Sequence, residues 1–185
     1  MVQVRDKQAP PRDLVVLVRA LVVALPVPVL VNDRVDVALA AGAAGAHLGQ
    51  DDLPLGVVRP YVPRGFILGT SVGSAAEAER ARPVPADYWS VGPCFVTASK
   101  PDAGAPLGPA GFATLARLSP RGVPVIGIGG ITAANARSIL AAGAVGVAVI
   151  AAVLEAPDPE TAARALVSPA PAPSPGESPR GAPGN

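Results

Sequence analysis

Seven short apolar runs, each followed by a longer stretch with helical periodicity, divide most of the chain. The runs occupy residues 2–4, 27–31, 46–48, 66–71, 88–91, 125–128 and 147–150. They are strand-length, rich in β-branched residues and free of polar alternation, the pattern of strands covered on both faces. The helical stretches occupy residues 12–25, 34–41, 55–62, 75–82, 111–118, 133–142 and 159–166. Asp33, Ser74 and Thr132 stand ahead of the second, fourth and sixth as helix-start residues. The Ala-Gly-Ala sequences that follow helices read as glycine stops feeding the next strand. Strand-helix units repeated in this way require a parallel sheet with helices outside it.

Two architectures meet that requirement: an open doubly wound sheet and a closed (β/α)8 barrel. An internal repeat favours the barrel. LAAGAAGAHL (residues 39–48) and LAAGAVGVAV (residues 140–149) are nearly the same helix-to-strand junction, and they lead into the third and seventh strands. Four units is half of a barrel. A closed barrel has eight strands, whereas seven are counted and the first begins directly after Met1. The expectation is a TIM (β/α)8 barrel with seven βα units present and the first missing.

Composition narrows the function classes. Half of the 185 residues are hydrophobic but only 3% are aromatic, so the core must be built from Val, Leu, Ile and Ala. A net charge of +1 argues against a dedicated nucleic-acid binder, which would carry a basic stripe. One cysteine excludes an internal disulfide framework and an all-cysteine zinc site, and fits a reducing compartment. No apolar run approaches the roughly 20 residues of a membrane span. The opening MVQVRDK carries no hydrophobic stretch before a cleavage site. The expectation is a soluble, cytoplasmic protein that binds neither nucleic acid nor membrane; a homo-oligomer is compatible with the sequence. Residues 168–185 are mainly Pro, Ala, Gly and Ser with almost nothing to bury. They read as a disordered tail after a single domain over residues 1–167.

In both architectures the site lies at the carboxyl ends of the strands, and polar groups collect after nearly every run. Arg5, Asp6 and Lys7 follow the first, and Asn32, Asp33 and Arg34 the second. Gly49, Gln50, Asp51 and Asp52 follow the third, and Ser71 ends the fourth. GPCFVTASKPD after the fifth holds Thr97, Ser99 and Lys100. GIGGIT after the sixth holds Gly129 and Gly130, and Ile150 and Ala151 come after the seventh. Alone, Asp33 reads as a helix cap. Together, the fold would place all these tips on one rim.

Three sub-sites follow. Asp33 and Asp52, from adjacent strands, can hold a divalent metal such as Mg²⁺, which takes one or two carboxylates plus waters and phosphate oxygens. Arg5, Lys7 and Lys100 supply cations for a polyphosphate, with Asn32 and Ser71 adding neutral hydrogen-bonding groups. Gly129-Gly130, with the backbone after Ile150, resembles the phosphate cup of the last two barrel loops, where backbone N–H groups and a short helix take a monophosphate. Metal, polyphosphate and monophosphate sites on one rim point to two phosphorylated substrates. Of the remaining candidates, His47 lies inside a strand, either lining the barrel or structural, and structural is the expectation. Cys94 reads as a buried small hydrophobe rather than a nucleophile, Trp89 as core and Asp102 as a turn residue.

These residues resemble thiamine phosphate synthase, a TIM-barrel enzyme family. The similarity runs through VQVRDK, VLVNDRVDVALAAGAAGAHLGQDD, ILGTS, DYWSVGPCFVTASKPDAGAPLG, PVIGIGGIT and AGAVGVAVI, essentially everything before the tail. The family joins 4-amino-2-methyl-5-pyrimidinylmethyl diphosphate to a thiazole phosphate, releasing diphosphate. The resemblance implies that Gln3, Arg5, Lys7, Asn32, Ser71 and Lys100 bind the pyrimidine diphosphate. It implies Asp33 and Asp52 as Mg²⁺ ligands, and Thr97, Ser99, Gly130, Ile150 and Ala151 as thiazole phosphate binders. Arg5, Lys7, Ser71 and Lys100 are the expected catalytic set.

The chain departs from the family pattern in lacking its first strand and helix. Ser99 stands where the family has Thr, Ala151 where Ser is common, and Gly73 where many relatives carry His. The alternatives are a thiazole tautomerase of the same superfamily, which relies on a His near position 73, and a non-catalytic phosphate-binding remnant. Retention of Arg5, Lys7, Asp33, Asp52 and Lys100 favours the synthase.

Overall fold

The computed structural model describes residues 1–99 and 104–167. Seven strands alternate with helices. They are β1 (Val2–Val4), β2 (Val29–Asn32), β3 (Gly45–Leu48), β4 (Ile67–Val72), β5 (Tyr88–Val91), β6 (Val125–Ile128) and β7 (Gly146–Ala148). The helices are α1 (Pro11–Ala24), α2 (Val35–Ala41), α3 (Leu55–Val58), α4 (Ala75–Ala81), α5 (Gly108–Ala116), α6 (Ala136–Ala141), α7 (Ala151–Leu154) and α8 (Pro159–Val167). A 3-10 turn, Arg59–Tyr61, extends α3. Lys100 and Asp102, and the tail expected from residue 168, lie outside the described residues.

Local chemistry accounts for the helix ends. Pro11 opens α1, where its missing N–H costs nothing, and the extended Leu25 before Pro26 closes it. Leu14 and Val18, four residues apart, are its buried stripe. Gly42 ends α2 in the left-handed conformation at φ 71°, and Gly143, beyond α6, has φ 106°. Ser74 caps α4, its side chain accepting the Glu77 N–H at 3.2 Å. The other two expected caps are corrected. Arg34, not Asp33, is the residue before α2, and no side chain caps that helix. Thr132 is followed by a turn, so α6 begins only after Asn135.

All strands pair in parallel, and their spatial order is their chain order, β1 to β7. A doubly wound sheet reverses its strand order at a switch point. No reversal occurs here, so the winding is that of a TIM-type barrel with seven βα units. Among the described residues β1 and β7 are the sheet edges.

The register sorts side chains onto two faces. Val29, Val31, Ala46, Leu48, Leu68, Val72, Trp89 and Val91 point to the helices and are almost fully buried. The opposite face carries Gln3, Asn32, His47, Ser71, Tyr88 and Ser90. The Gln3 side chain on β1 is close enough to Tyr88 on β5 to lower its pKa. In a flat sheet those strands would stand about 19 Å apart, at roughly 4.8 Å per neighbour. The sheet is therefore curled, with this polar face inside the curl. No helix among the described residues is long and apolar enough to cross a membrane.

Candidate active site

The carboxyl ends of β1, β2 and β3 bring four charged side chains together. The Asp33 carboxyl is held above the ordinary carboxylate range. Burial is the largest cause, followed by a hydrogen bond with the Asp52 carboxyl and then by that group's negative charge; Lys7 and Arg5 act in the opposite direction. Two carboxyls and two cations from three strand ends thus sense one another. Asp33 also has φ 61°, the one non-glycine residue among those described with a positive φ. Asp tolerates that region better than most residues, and strain of this kind concentrates at functional sites. Its N–H donates to the His47 carbonyl at 2.8 Å, carrying the chain across from β2 to β3. Asp52 is set from the other side, where its Oδ2 accepts the Gly49 N–H at 2.6 Å.

These residues fit Mg²⁺. The donors are hard carboxylate oxygens, and two such groups leave positions for water and phosphate oxygens. Among the described residues no cluster of three or more His, Cys, Asp or Glu exists, so a site closed by protein ligands alone is not what they build.

Ser71, at the carboxyl half of β4, is fixed twice. The Gln50 side chain donates to its carbonyl at 2.7 Å. Its Oγ lies 2.9 Å from His47 Nε2, and His47 Nδ1 lies 2.9 Å from the Tyr88 hydroxyl. His47 therefore lines the inside of the curl and touches the site, the barrel-lining position of the two that the sequence left open. The sequence reading did not single out Tyr88. Its signal was Tyr88 and Ser90 at alternate positions of a buried run, placing two polar groups on one face. Trp89, between them, packs on the helix side as expected.

The loops after β5 and β6 are joined by backbone bonds. The Cys94 N–H donates to the Ile128 carbonyl at 2.8 Å, and Phe95 to Gly129 at 2.9 Å. Gly130 has φ 63°, and a Cβ there would come within 2.3 Å of the Val96 carbonyl. The close approach of these loops requires glycine. Asn135 braces the turn, donating to the Gly130 carbonyl at 3.0 Å and accepting the Thr132 N–H at 2.8 Å. Thr97 Oγ1 accepts the Ser99 N–H at 3.2 Å. After β7, Ile150 leaves the strand, and Ala151 begins α7, whose first N–H groups have no intrahelical acceptor. Cys94 is fully buried, and burial pushes its thiol up to about 11, so it is no nucleophile.

A separate hollow of about 430 Å³ opens at the opposite end of the sheet, beside Arg59, Arg64 and Asp87. Arg59 is engaged there by Asp87 at 2.6 Å and by the Phe66 and Pro85 carbonyls at 2.8 Å. That ion pair ties the amino ends of β4 and β5 and lies away from the rim.

Residues 1–153 match the family described as thiamine monophosphate synthase. The chain belongs to that family. A thiamine-phosphate synthase of Roseiflexus sp. is 54% identical over 172 residues, covering 90% of this chain and 71% of that protein. One of Methanoculleus marisnigri is 49% identical over 170 residues, covering 90% and 79%. The structure of thiamine phosphate pyrophosphorylase from Pyrococcus furiosus superimposes with a TM-score of 0.79 at 38% identity, covering 90% of this chain and 80% of that one. The span matched to the thiamine monophosphate synthase family contains every rim residue described above and stops within α7; α8 lies beyond it.

Proposed function

We propose that this chain is a thiamine phosphate synthase. It condenses 4-amino-2-methyl-5-pyrimidinylmethyl diphosphate with thiazole phosphate to give thiamine phosphate and diphosphate. The observation that carries this reading is the meeting of Asp33 and Asp52 with Arg5 and Lys7 at adjoining strand ends.

The chemistry needs little else from the protein. The carbon–oxygen bond to the diphosphate breaks first, and its electron pair leaves with the diphosphate. The remaining pyrimidine carbocation accepts the lone pair of the thiazole nitrogen, forming the new carbon–nitrogen bond. No protein nucleophile is consumed and no proton must move, which agrees with a buried, neutral Cys94. Asp33 and Asp52 would hold Mg²⁺, whose charge neutralises diphosphate oxygens. Arg5, Lys7 and Lys100 supply positive charge to the departing group. Gln3, Asn32 and Ser71 orient the pyrimidine diphosphate. Thr97, Ser99, Gly130, Ile150 and Ala151 hold the thiazole phosphate in line with the bond that breaks. Residues 1–167 form the catalytic domain in this reading, and a single cysteine is compatible with a reducing cytoplasm.

The test is a Mg²⁺-dependent assay of thiamine phosphate from the two purified substrates. Thiamine phosphate and diphosphate appearing together support the reading. Isomerisation of the thiazole phosphate without joining would support the tautomerase instead.

A further inference from the structure

Behind Ser71 lie two buried side chains, His47 and Tyr88, whose contacts have a direction. His47 Nε2 is 2.9 Å from Ser71 Oγ, and Nδ1 is 2.9 Å from the Tyr88 hydroxyl. A neutral imidazole has one N–H and one bare nitrogen, so the two contacts must have opposite polarity. Two arrangements satisfy both. In one, Tyr88 donates to Nδ1 and Nε2–H donates to Ser71. In the other, Nδ1–H donates to Tyr88 and Ser71 donates to Nε2. The first leaves the Ser71 proton free to point at a ligand on the rim, whereas the second commits it to the ring.

Tyr88 decides between them. Burial pushes its pKa up to about 12, so the hydroxyl keeps its proton at neutral pH and that proton needs an acceptor. Among the described residues His47 Nδ1 is the acceptor within reach.

We propose that Tyr88 and His47 form a one-way donor relay that holds Ser71 as a hydrogen-bond donor toward the departing diphosphate. His47 and Tyr88 are then positioning residues, acting through Ser71. The acceptor's identity rests on the synthase reading, but the direction of the relay does not. A donor fixed before reaction and aimed where negative charge develops stabilises the transition state without reorganising.

His47 is the chain's only histidine, so its ring nitrogens can be read without assignment ambiguity. The experiment is a long-range proton–nitrogen NMR correlation on the full ¹⁵N-labelled chain at neutral pH without substrate. The relay predicts a protonated Nε2 and a bare Nδ1. A ring protonated on Nδ1, or on both nitrogens, overturns it. Tyr88→Phe is expected to replace the single tautomer by a mixture. It should also lower kcat about 10-fold, less than the ~100-fold or more that losing an entire oxyanion donor costs, with KM for thiazole phosphate unchanged. His47→Gln keeps an N–H toward Ser71 and is expected to turn over faster than His47→Leu; equal rates for these two variants contradict the relay. A chain with the predicted tautomer that makes no thiamine phosphate would contradict the reaction assignment and leave the relay standing.

Discussion

His47 and Tyr88 meet at 2.9 Å although a whole strand separates theirs. The register explains how: His47 on β3, Gly69 on β4 and Tyr88 on β5 are successive partners. Tyr88 leans over Gly69 to reach the imidazole. A Cβ on Gly69 would lie 2.2 Å from the ring carbon bearing the hydroxyl and 2.5 Å from the hydroxyl oxygen. The glycine is thus a space requirement of the polar network.

Gly69→Ala therefore has to displace Tyr88. The expected outcome is a loss of about 1–3 kcal/mol in urea unfolding, the usual cost of overpacking a filled interior. The His47–Tyr88 contact should be lost with it. An alanine variant as stable as the parent, with an unchanged His47 NMR spectrum, would show that the ring has room to move.

Stability should fall in alkali, and the sign follows from burial. Tyr88 is raised from 10.0 to about 12 and Cys94 from 9.0 to about 11. A group whose folded pKa is raised binds its proton more tightly when folded. Its contribution is complete below the unfolded pKa and is lost as pH rises through the folded one. The window is about pH 9 to 12, with Tyr88 contributing at most about 2–3 kcal/mol across its own part. Urea midpoints from pH 8.5 to 11.5 check this. Tyr88→Phe should flatten the upper half of the decline and Cys94→Ala the lower half, whereas a flat profile in the parent would show that neither group is held neutral by the fold.

Asp52→Ala should leave the fold nearly intact, because the residue is half-buried and its recorded anchor is the bond from Gly49. The loss of that bond costs about 1 kcal/mol. Turnover at limiting Mg²⁺ should fall by about 100-fold or more, with partial recovery at high Mg²⁺. A variant whose rate and Mg²⁺ dependence match the parent's would remove Asp52 from the metal site.

Much of this was legible in the sequence because strand and helix periodicity survive in short, aliphatic runs. Tyr88–Val91 and Val125–Ile128 begin and end where the apolar runs do. The repeated glycine stops fix the helix ends at Gly42 and Gly143. The rim was legible for the same reason, since residues after parallel strands share one end. What the sequence hid are contacts made across strands. Asp33 looks like a cap by position, yet its left-handed backbone turns it toward Asp52 instead. Thr132 has cap chemistry, but the turn braced by Asn135 delays α6. His47 and Tyr88 lie 41 residues apart, and only sheet curl and the small Gly69 bring them together.

The central claim is that the rim joins two phosphorylated substrates. The direct measurement is product formation by this chain with pyrimidine diphosphate, thiazole phosphate and Mg²⁺, following both products by chromatography. The account predicts thiamine phosphate and diphosphate in equal amounts, with neither formed when either substrate is left out. A folded, substrate-saturated protein that releases no diphosphate, or releases it without thiamine phosphate, would contradict it.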